Sequence, residues 1–291
     1  MRNPLRTPVL IALLVLAASS VPARLAAQDQ PGEEKIQRSF PVSTGAQLRV
    51  ENYKGTIHVT AADTNQVTVN AVKRFTGSEA DRKWWMENTK VDFENSASRV
   101  EINVHYPTQY WNCWWSCGFE HNFVAEVDLE IQVPRRIDVD LHGYKPDIKV
   151  FAVHGSVRIK SYKSPMTVES TNGSIYIDTY KDTIRLKNVA VHGGLEVKSY
   201  KADAEIEART LDGASRLENY KGSIVLRVPG DIGLDLDFSG ERRGSFRTDL
   251  PLVVRTTGRS GVRGTINQGG TALVLRTGKG SVLVEKLVGD L

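Results

Sequence analysis

The feature that most constrains this chain is a dipeptide that returns on a fixed beat. Six of its nine tyrosines, Tyr53, Tyr144, Tyr162, Tyr180, Tyr200 and Tyr220, are each followed by lysine, and the last five recur at intervals of 18, 18, 20 and 20 along the chain. A second series keeps the same time. His154-Gly155, Asn172-Gly173, His192-Gly193 and Asp212-Gly213 are spaced 18, 20 and 20, each eight residues before a Tyr-Lys pair. A period of about 20 residues is the mark of stacked arrays in which one short unit packs on the next. Two punctuation marks per period imply two corners per turn of chain.

Between the corners the pattern alternates: Val157/Ile159, Met166/Val168, Ile175/Ile177, Ile184/Leu186, Leu195/Val197 and Ile224/Leu226/Val228. Period two with β-branched residues predicts short strands with one buried face, and no window repeats at three and four as a helix would. Glycine at alternate corners supplies positive φ, which Asn, Asp and His also tolerate. The expected fold is therefore all-β, a β-solenoid or β-helix with two short strands per coil of about 18–20 residues. Neighbouring coils would sit about 4.8 Å apart.

The units Glu51-Asn52-Tyr53-Lys54-Gly55-Thr56-Ile57-His58-Val59 and Glu218-Asn219-Tyr220-Lys221-Gly222-Ser223-Ile224-Val225-Leu226 resemble the bacterial putative-adhesin family. The resemblance covers roughly residues 40–291. It implies an exported β-helix-like solenoid with a surface or envelope role, and it supplies no catalytic residues. A further copy, Thr277-Gly278-Lys279-Gly280-Ser281-Val282, has Gly in place of Tyr, as though the ladder closes there. Residues 75–120 depart from the repeat and read as an insertion, with a short helix near residues 78–88.

Alternation also predicts direction. Ser161, Thr179, Ser199 and Asn219 fall inward and the following tyrosines outward. Lys160, Asp178, Lys198 and Glu218 then stack with alternating sign. Lys163, Lys181, Lys201 and Lys221 stack like on like, so they fan into solvent or hold something anionic. Tyr144, Tyr162, Tyr180, Tyr200 and Tyr220 with those lysines form the candidate binding stripe. Ring faces could meet sugars while ammonium groups meet carboxylates or phosphates. The same rings could equally serve the architecture, since aromatic pairs contribute about 0.5–1.5 kcal/mol beyond burial.

All five tryptophans lie in the insertion, and Trp111, Trp114 and Trp115 are candidate contacts for a partner or a cap over the open end of the array. Cys113 and Cys117 are expected to form a disulfide in an exported chain. A metal site from these thiols with His105 and His121 has no recognised spacing, and His154 and His192 sit two coils apart, so no metal and no cofactor is expected. Nucleophile-elbow, zinc-protease and phosphate-loop motifs are missing, which argues against an enzyme. The one catalytic alternative is Asp231, Asp235 and Asp237, because paired carboxylates about 5–9.5 Å apart can cleave a glycosidic bond.

The N-terminus sets the compartment. Arg2 and Arg6 precede ten apolar residues, 9–18, and small residues run up to Ala27, so residues 1–27 read as a signal peptide and 28–39 as a flexible lead into a domain over 40–291. The apolar run is too short to span a bilayer, and no later one is longer. Without the three arginines of that stretch, 35 basic residues face 34 acidic ones, a net charge of +1 instead of +4. That near-neutrality excludes a strongly basic nucleic-acid binder. The sequence thus points to the periplasm or cell surface and to a non-enzymatic interaction scaffold for a glycan, an envelope polymer or another envelope protein. A polysaccharide-acting enzyme and a structural or stress-response component without ligand are the alternatives.

Overall fold

The structure is a computed structural model describing residues 32–107, 124–241 and 243–288. Its strands in chain order are β1 (Glu33–Pro41), β2 (Gln47–Ala62), β3 (Gln66–Thr76), then, after helix α1 (Glu79–Asn88), β4 (Lys90–Ser96), β5 (Arg99–His105) and β6 (Val124–Pro134). There follow β7 (Asp138–Phe151), β8 (Val157–Lys163), β9 (Met166–Glu169), β10 (Asn172–Asp212), β11 (Ser215–Lys221) and β12 (Ser223–Val228). The last six are β13 (Leu234–Gly240), β14 (Ser245–Thr248), β15 (Leu252–Gly258), β16 (Gly261–Ile266), β17 (Thr271–Thr277) and β18 (Ser281–Lys286). The chain is all-β with one helix among the described residues, as the alternation predicts.

The strands join into two parallel ladders. One runs β5, β2, β7, β8, β10, β11, β17 and β13; the other runs β6, β2, β7, β9, β10, β12, β18 and β14. β2, β7 and β10 bend through the Tyr-Lys corner and so belong to both. Register follows the sequence period: Ile175 pairs with Val157, one period back, and Val197 with Leu217, one period ahead. Every alternating apolar residue singled out above is buried. Each such Val, Ile or Leu contributes about 1.5–3 kcal/mol by leaving water.

Fold order departs from chain order at both ends. β17 and β18 slot between β11–β12 and β13–β14, and β5 and β6 precede β2. Antiparallel strands finish the stack: β4 on β5, β3 on β6 with β1 on β3, and at the far end β16 on β13 with β15 on β16. Residues 33–39, within the lead expected to be flexible, therefore belong to an edge strand that runs on to Pro41; Ile36 and Phe40 pack against the core and explain why. The expected insertion is also partly sheet, because β5 sets Val100 and Ile102 on the same register as Leu48 and Val50.

The helix lies where the sequence places it. Ser78 caps it, its hydroxyl accepting the Asp81 N–H at 3.2 Å. Trp85 is fully buried, with its ring 5.8 Å from Phe75 and 6.3 Å from Tyr106. Lys73, itself buried, ties the end of the helix down by donating to the Met86 carbonyl and to Glu34.

The corners are subtler than a run of glycines. Gly193 and Gly213 have φ of 86° and 91°, but Gly155 does not need the left-handed region. Gly155 is required by proximity, since a Cβ there would lie 2.2 Å from the Ile137 carbonyl oxygen. Ala152, Ser170 and Asn188, each one period after the last, take positive φ with side chains in place. No residue type flags that column in the sequence.

Candidate functional site

The Tyr-Lys corner brings all six predicted tyrosines into one stack. Tyr53 to Tyr144, Tyr144 to Tyr162, Tyr162 to Tyr180, Tyr180 to Tyr200 and Tyr200 to Tyr220 have ring centroids 4.7, 4.8, 4.8, 5.1 and 5.0 Å apart. Interplanar angles are 16° or less. The spacing is that of the strands themselves, because each ring leaves the same position of successive coils.

Both ends of the stack are closed. At the C-terminal end Tyr220 lies against Gly278, whose missing side chain makes room for the ring. At the other end Tyr106 turns edge-on to Tyr53 at 5.9 Å and 61°. Its hydroxyl lies 2.7 Å from the Lys54 carbonyl and 3.0 Å from Asn52 Oδ1, and accepts the Val127 N–H. Burial raises the pKa of this phenol, and raises that of Tyr53 to about 12 with help from Tyr144. Tyr106 has no lysine after it, so the dipeptide pattern does not reveal it.

Inside the corner, the asparagines before the first and last tyrosines of the stack satisfy the turn. Asn52 donates to the Val127 carbonyl at 2.7 Å, and Asn219 donates to the Ala202 carbonyl at 2.7 Å while accepting the Lys221 N–H. Thr179 and Asn219 are buried, as alternation predicts, and Ser161 and Ser199 are partly so.

Outside the corner, the lysines stack in register: Lys54 with Lys145, Lys163 with Lys181, and Lys201 with Lys221. Lys145, Lys163 and Lys201 fold back over their own rings, with Nζ 5.4, 5.3 and 5.5 Å from the centroids. Among the described residues, Lys145, Lys163, Lys181, Lys201 and Lys221 have no carboxylate partner, whereas Lys54 reaches Glu126 at 4.0 Å. The ring faces are occupied by one another. What the stripe presents outward is therefore ring edges, phenol hydroxyls and ammonium groups, and not faces on which a sugar could stack.

The flanking sheet face carries local charge pairs. Lys198 binds Glu196 at 2.6 Å, Arg216 binds Glu218, and Arg158 and Lys198 lie over the Tyr176 ring. The sign alternation expected for this face is present, with pairing mostly between next-but-one residues of one strand. An unpredicted column on the opposite face, Glu169, Lys187, Glu207, Arg227 and Glu285, alternates across strands, with Arg227 2.8 Å from Glu285 and 3.5 Å from Glu207.

The aspartate cluster is not assembled as an acid/base pair. Asp237 is held by Arg276 at 3.0 Å and Arg263 at 3.4 Å, and the Arg276 hydrogen bond lowers its pKa. Asp235 faces Arg255 at 3.7 Å. Arginine partners oppose the raised pKa that a proton-donating carboxyl needs. No group of three or more His, Cys, Asp or Glu that could hold a metal occurs among the described residues. Trp111, Cys113, Trp114, Trp115 and Cys117 lie outside the described residues. No helix among the described residues is long and apolar enough to cross a membrane.

No family model and no curated protein matches the chain. Among solved structures it is similar to a putative cell adhesion protein from Clostridium sporogenes, at 12% identity and a TM-score of 0.35, over 87% of this chain and 100% of that one. It is also similar to a putative adhesin from Bacteroides fragilis, at 8% identity and 0.36, over 87% and 97%. A putative lipid binding protein from Parabacteroides distasonis follows at 10% and 0.31, again over 87% and 97%. Likenesses this slight transfer no property.

Proposed function

We propose that this protein is an exported β-solenoid of the cell envelope or surface, a non-enzymatic interaction scaffold whose Tyr-Lys edge binds a glycan or other envelope polymer. The observation that carries the reading is the unpaired lysine column beside a closed tyrosine stack. Stacking like charges in register is unfavourable unless solvent or an anion compensates it. On the flanking face Lys198 and Arg216 have carboxylate partners, whereas the corner repeats one sign of charge in register. Hydroxyls and ammonium groups repeating at the strand spacing suit an extended acidic polymer contacted by hydrogen bonds and charge. The solenoid reading is supported by ladder registers that repeat the sequence period. Export rests on residues 1–27, removed as a signal peptide, and the Cys113–Cys117 disulfide belongs to the same reading.

The self-contained ring stack favours one other reading, a structural envelope component in which the tyrosines only bind the coils together. Two sets of variants of the mature chain, residues 28–291, separate them in a binding assay against acidic and neutral bacterial polymers at two salt concentrations. Lys163→Gln with Lys181→Gln and Lys201→Gln removes charge from the edge, and Tyr→Phe at 162, 180 and 200 removes hydroxyls while keeping the stack. Salt-sensitive binding that the lysine variant loses supports the scaffold. Binding that neither set changes, or none at all, makes the stripe architecture.

A further inference from the structure

Three segments far apart in sequence carry one triplet, a cation followed by Gly and Ser: Lys221-Gly222-Ser223, Arg243-Gly244-Ser245 and Lys279-Gly280-Ser281. The out-of-order stacking at the C-terminal end brings them side by side. Ser223 pairs with Ser281 across β12 and β18, and Ser245 pairs with Ser281 across β14 and β18. The Ser281 N–H donates to the Gly222 carbonyl at 3.2 Å and the Ser245 N–H to the Gly280 carbonyl at 3.1 Å. Three hydroxyl-bearing positions thus stand in a row, about 4.8 Å from one to the next. The glycines make this nesting possible, since a Cβ on Gly280 would lie 2.0 Å from the Gly222 carbonyl oxygen.

The row forms one wall of a shallow notch of about 440 Å³ lined by Asp203, Ser223, Arg243, Ser245, Lys279 and Ser281. Asp203 is already engaged. Its carboxylate accepts both the N–H and the hydroxyl of Ser223 at 2.8 Å, bonds that lower its pKa. Arg243, Ser245, Lys279 and Ser281 are not. Lys279 Nζ is poised 5.7 Å over the Tyr220 ring, and among the described residues neither it nor Arg243 has a carboxylate partner. The hydroxyls of Ser245 and Ser281 make no hydrogen bond within the chain among those residues. With Asp203 ionised the notch still keeps a net charge of +1, from two cations and one carboxylate.

We propose that this notch is a site for a tetrahedral oxyanion, a phosphate or sulfate group such as a sugar ester carries. Donors on successive rungs address separate oxygens of a tetrahedral group. The fork of Arg243 can take two oxygens at once, and the compact ammonium of Lys279 supplies a point charge from the ring side. A planar carboxylate offers only two oxygens to the same set. The site differs from the polymer-binding edge proposed above and does not depend on it, because Arg243 and the free hydroxyls of Ser245 and Ser281 lie on or just before strands stacked beyond the one that follows the last tyrosine.

The test is titration of the mature chain with inorganic phosphate, glucose 6-phosphate and glucose, followed by amide shifts of residues 280 and 281 and by calorimetry. Phosphate and glucose 6-phosphate bind and glucose does not. Arg243→Gln and Lys279→Gln each weaken binding about tenfold or more, the scale of one charge-assisted hydrogen bond. Ser281→Ala weakens it several-fold, and Lys90→Gln, on β4 at the other end of the stack, leaves it unchanged. Tighter binding of glucose 6-phosphate than of phosphate identifies a sugar-borne ligand, and equal binding a free oxyanion. The substituted side chains are exposed or partly so, and unchanged thermal unfolding verifies each fold. Absence of phosphate binding at millimolar concentration, or binding that survives the Arg243→Gln/Lys279→Gln pair, overturns the proposal. Because the lysine variants that test the polymer edge leave Arg243, Ser245, Lys279 and Ser281 in place, failure of either site is recognisable without the other.

Discussion

The ring of Tyr220 lies against the backbone of Gly278, so close that a Cβ on Gly278 would fall 2.4 Å from Tyr220 Cδ2. The glycine is where a seventh ring would otherwise stand, and it lets the backbone of the next coil lie on the last tyrosine. Gly278→Ala is expected to push Tyr220 off its neighbour and cost about 1–3 kcal/mol, the usual penalty for overpacking. Urea unfolding of Gly278→Ala alone and in a Tyr220→Ala background checks the cause. A cost that persists undiminished without the ring would place the strain elsewhere.

Asn219 is the second expected weak point. Its buried amide donates to Ala202 in the preceding coil and accepts the Lys221 N–H in its own turn. Asn219→Ala leaves a carbonyl and an N–H without partners, at about 1–3 kcal/mol. Asn219→Asp should be worse than Ala near neutral pH, since a carboxylate can accept from Lys221 but sets an anion against the Ala202 carbonyl. Denaturation midpoints of the two variants order them. Equal midpoints would mean that water enters the corner and takes over both bonds.

Much of this is legible in the sequence because a stacked array repeats its instructions. The period, the two corners, the buried residues from Val157 to Val228 and the outward tyrosines all follow from alternation and spacing. Which coil the end strands join does not follow. β17 reads as one more alternating strand, and nothing in Leu273 or Leu275 says that it stacks on β11 before β13 does. The candidate stripe is also only half visible: spacing places the rings together, but only the 4.7–5.1 Å stacking shows that their faces are consumed. The triplet at Arg243 stays hidden in the sequence because its relation to Lys279 is created by that same out-of-order stacking.

The alternating column of β9, β10, β12 and β18 makes a sharper test of sheet electrostatics than single pairs do. Arg227 sits between Glu207 and Glu285. Arg227→Glu would line up three like charges, so it should be less stable than Arg227→Gln, by about 0.2–1 kcal/mol for each opposed pair. The gap between the two variants should narrow in 1 M salt, where the screening length falls to about 3 Å. A gap indifferent to salt would assign the loss to packing of the arginine stem instead.

Alkaline titration reads the closed end of the tyrosine stack. Burial raises the pKa of Tyr106, and raises that of Tyr53 from the ordinary 10.0 to about 12. A phenol whose folded pKa exceeds its unfolded value binds its proton more tightly when folded, so stability is complete below about pH 10 and falls as pH rises toward the folded value. Phenolate absorbance in the near ultraviolet should therefore include a late phase above pH 10 from Tyr53 and Tyr106, with unfolding midpoints declining across the same window. Tyr106→Phe should remove late-phase absorbance and flatten part of that decline. It should also lower stability at neutral pH, because the Val127 N–H and the Lys54 carbonyl lose the hydroxyl that serves both. A single phase near pH 10 would show that Tyr106 and Tyr53 are reached by water, and with it that the N-terminal end of the stack is open.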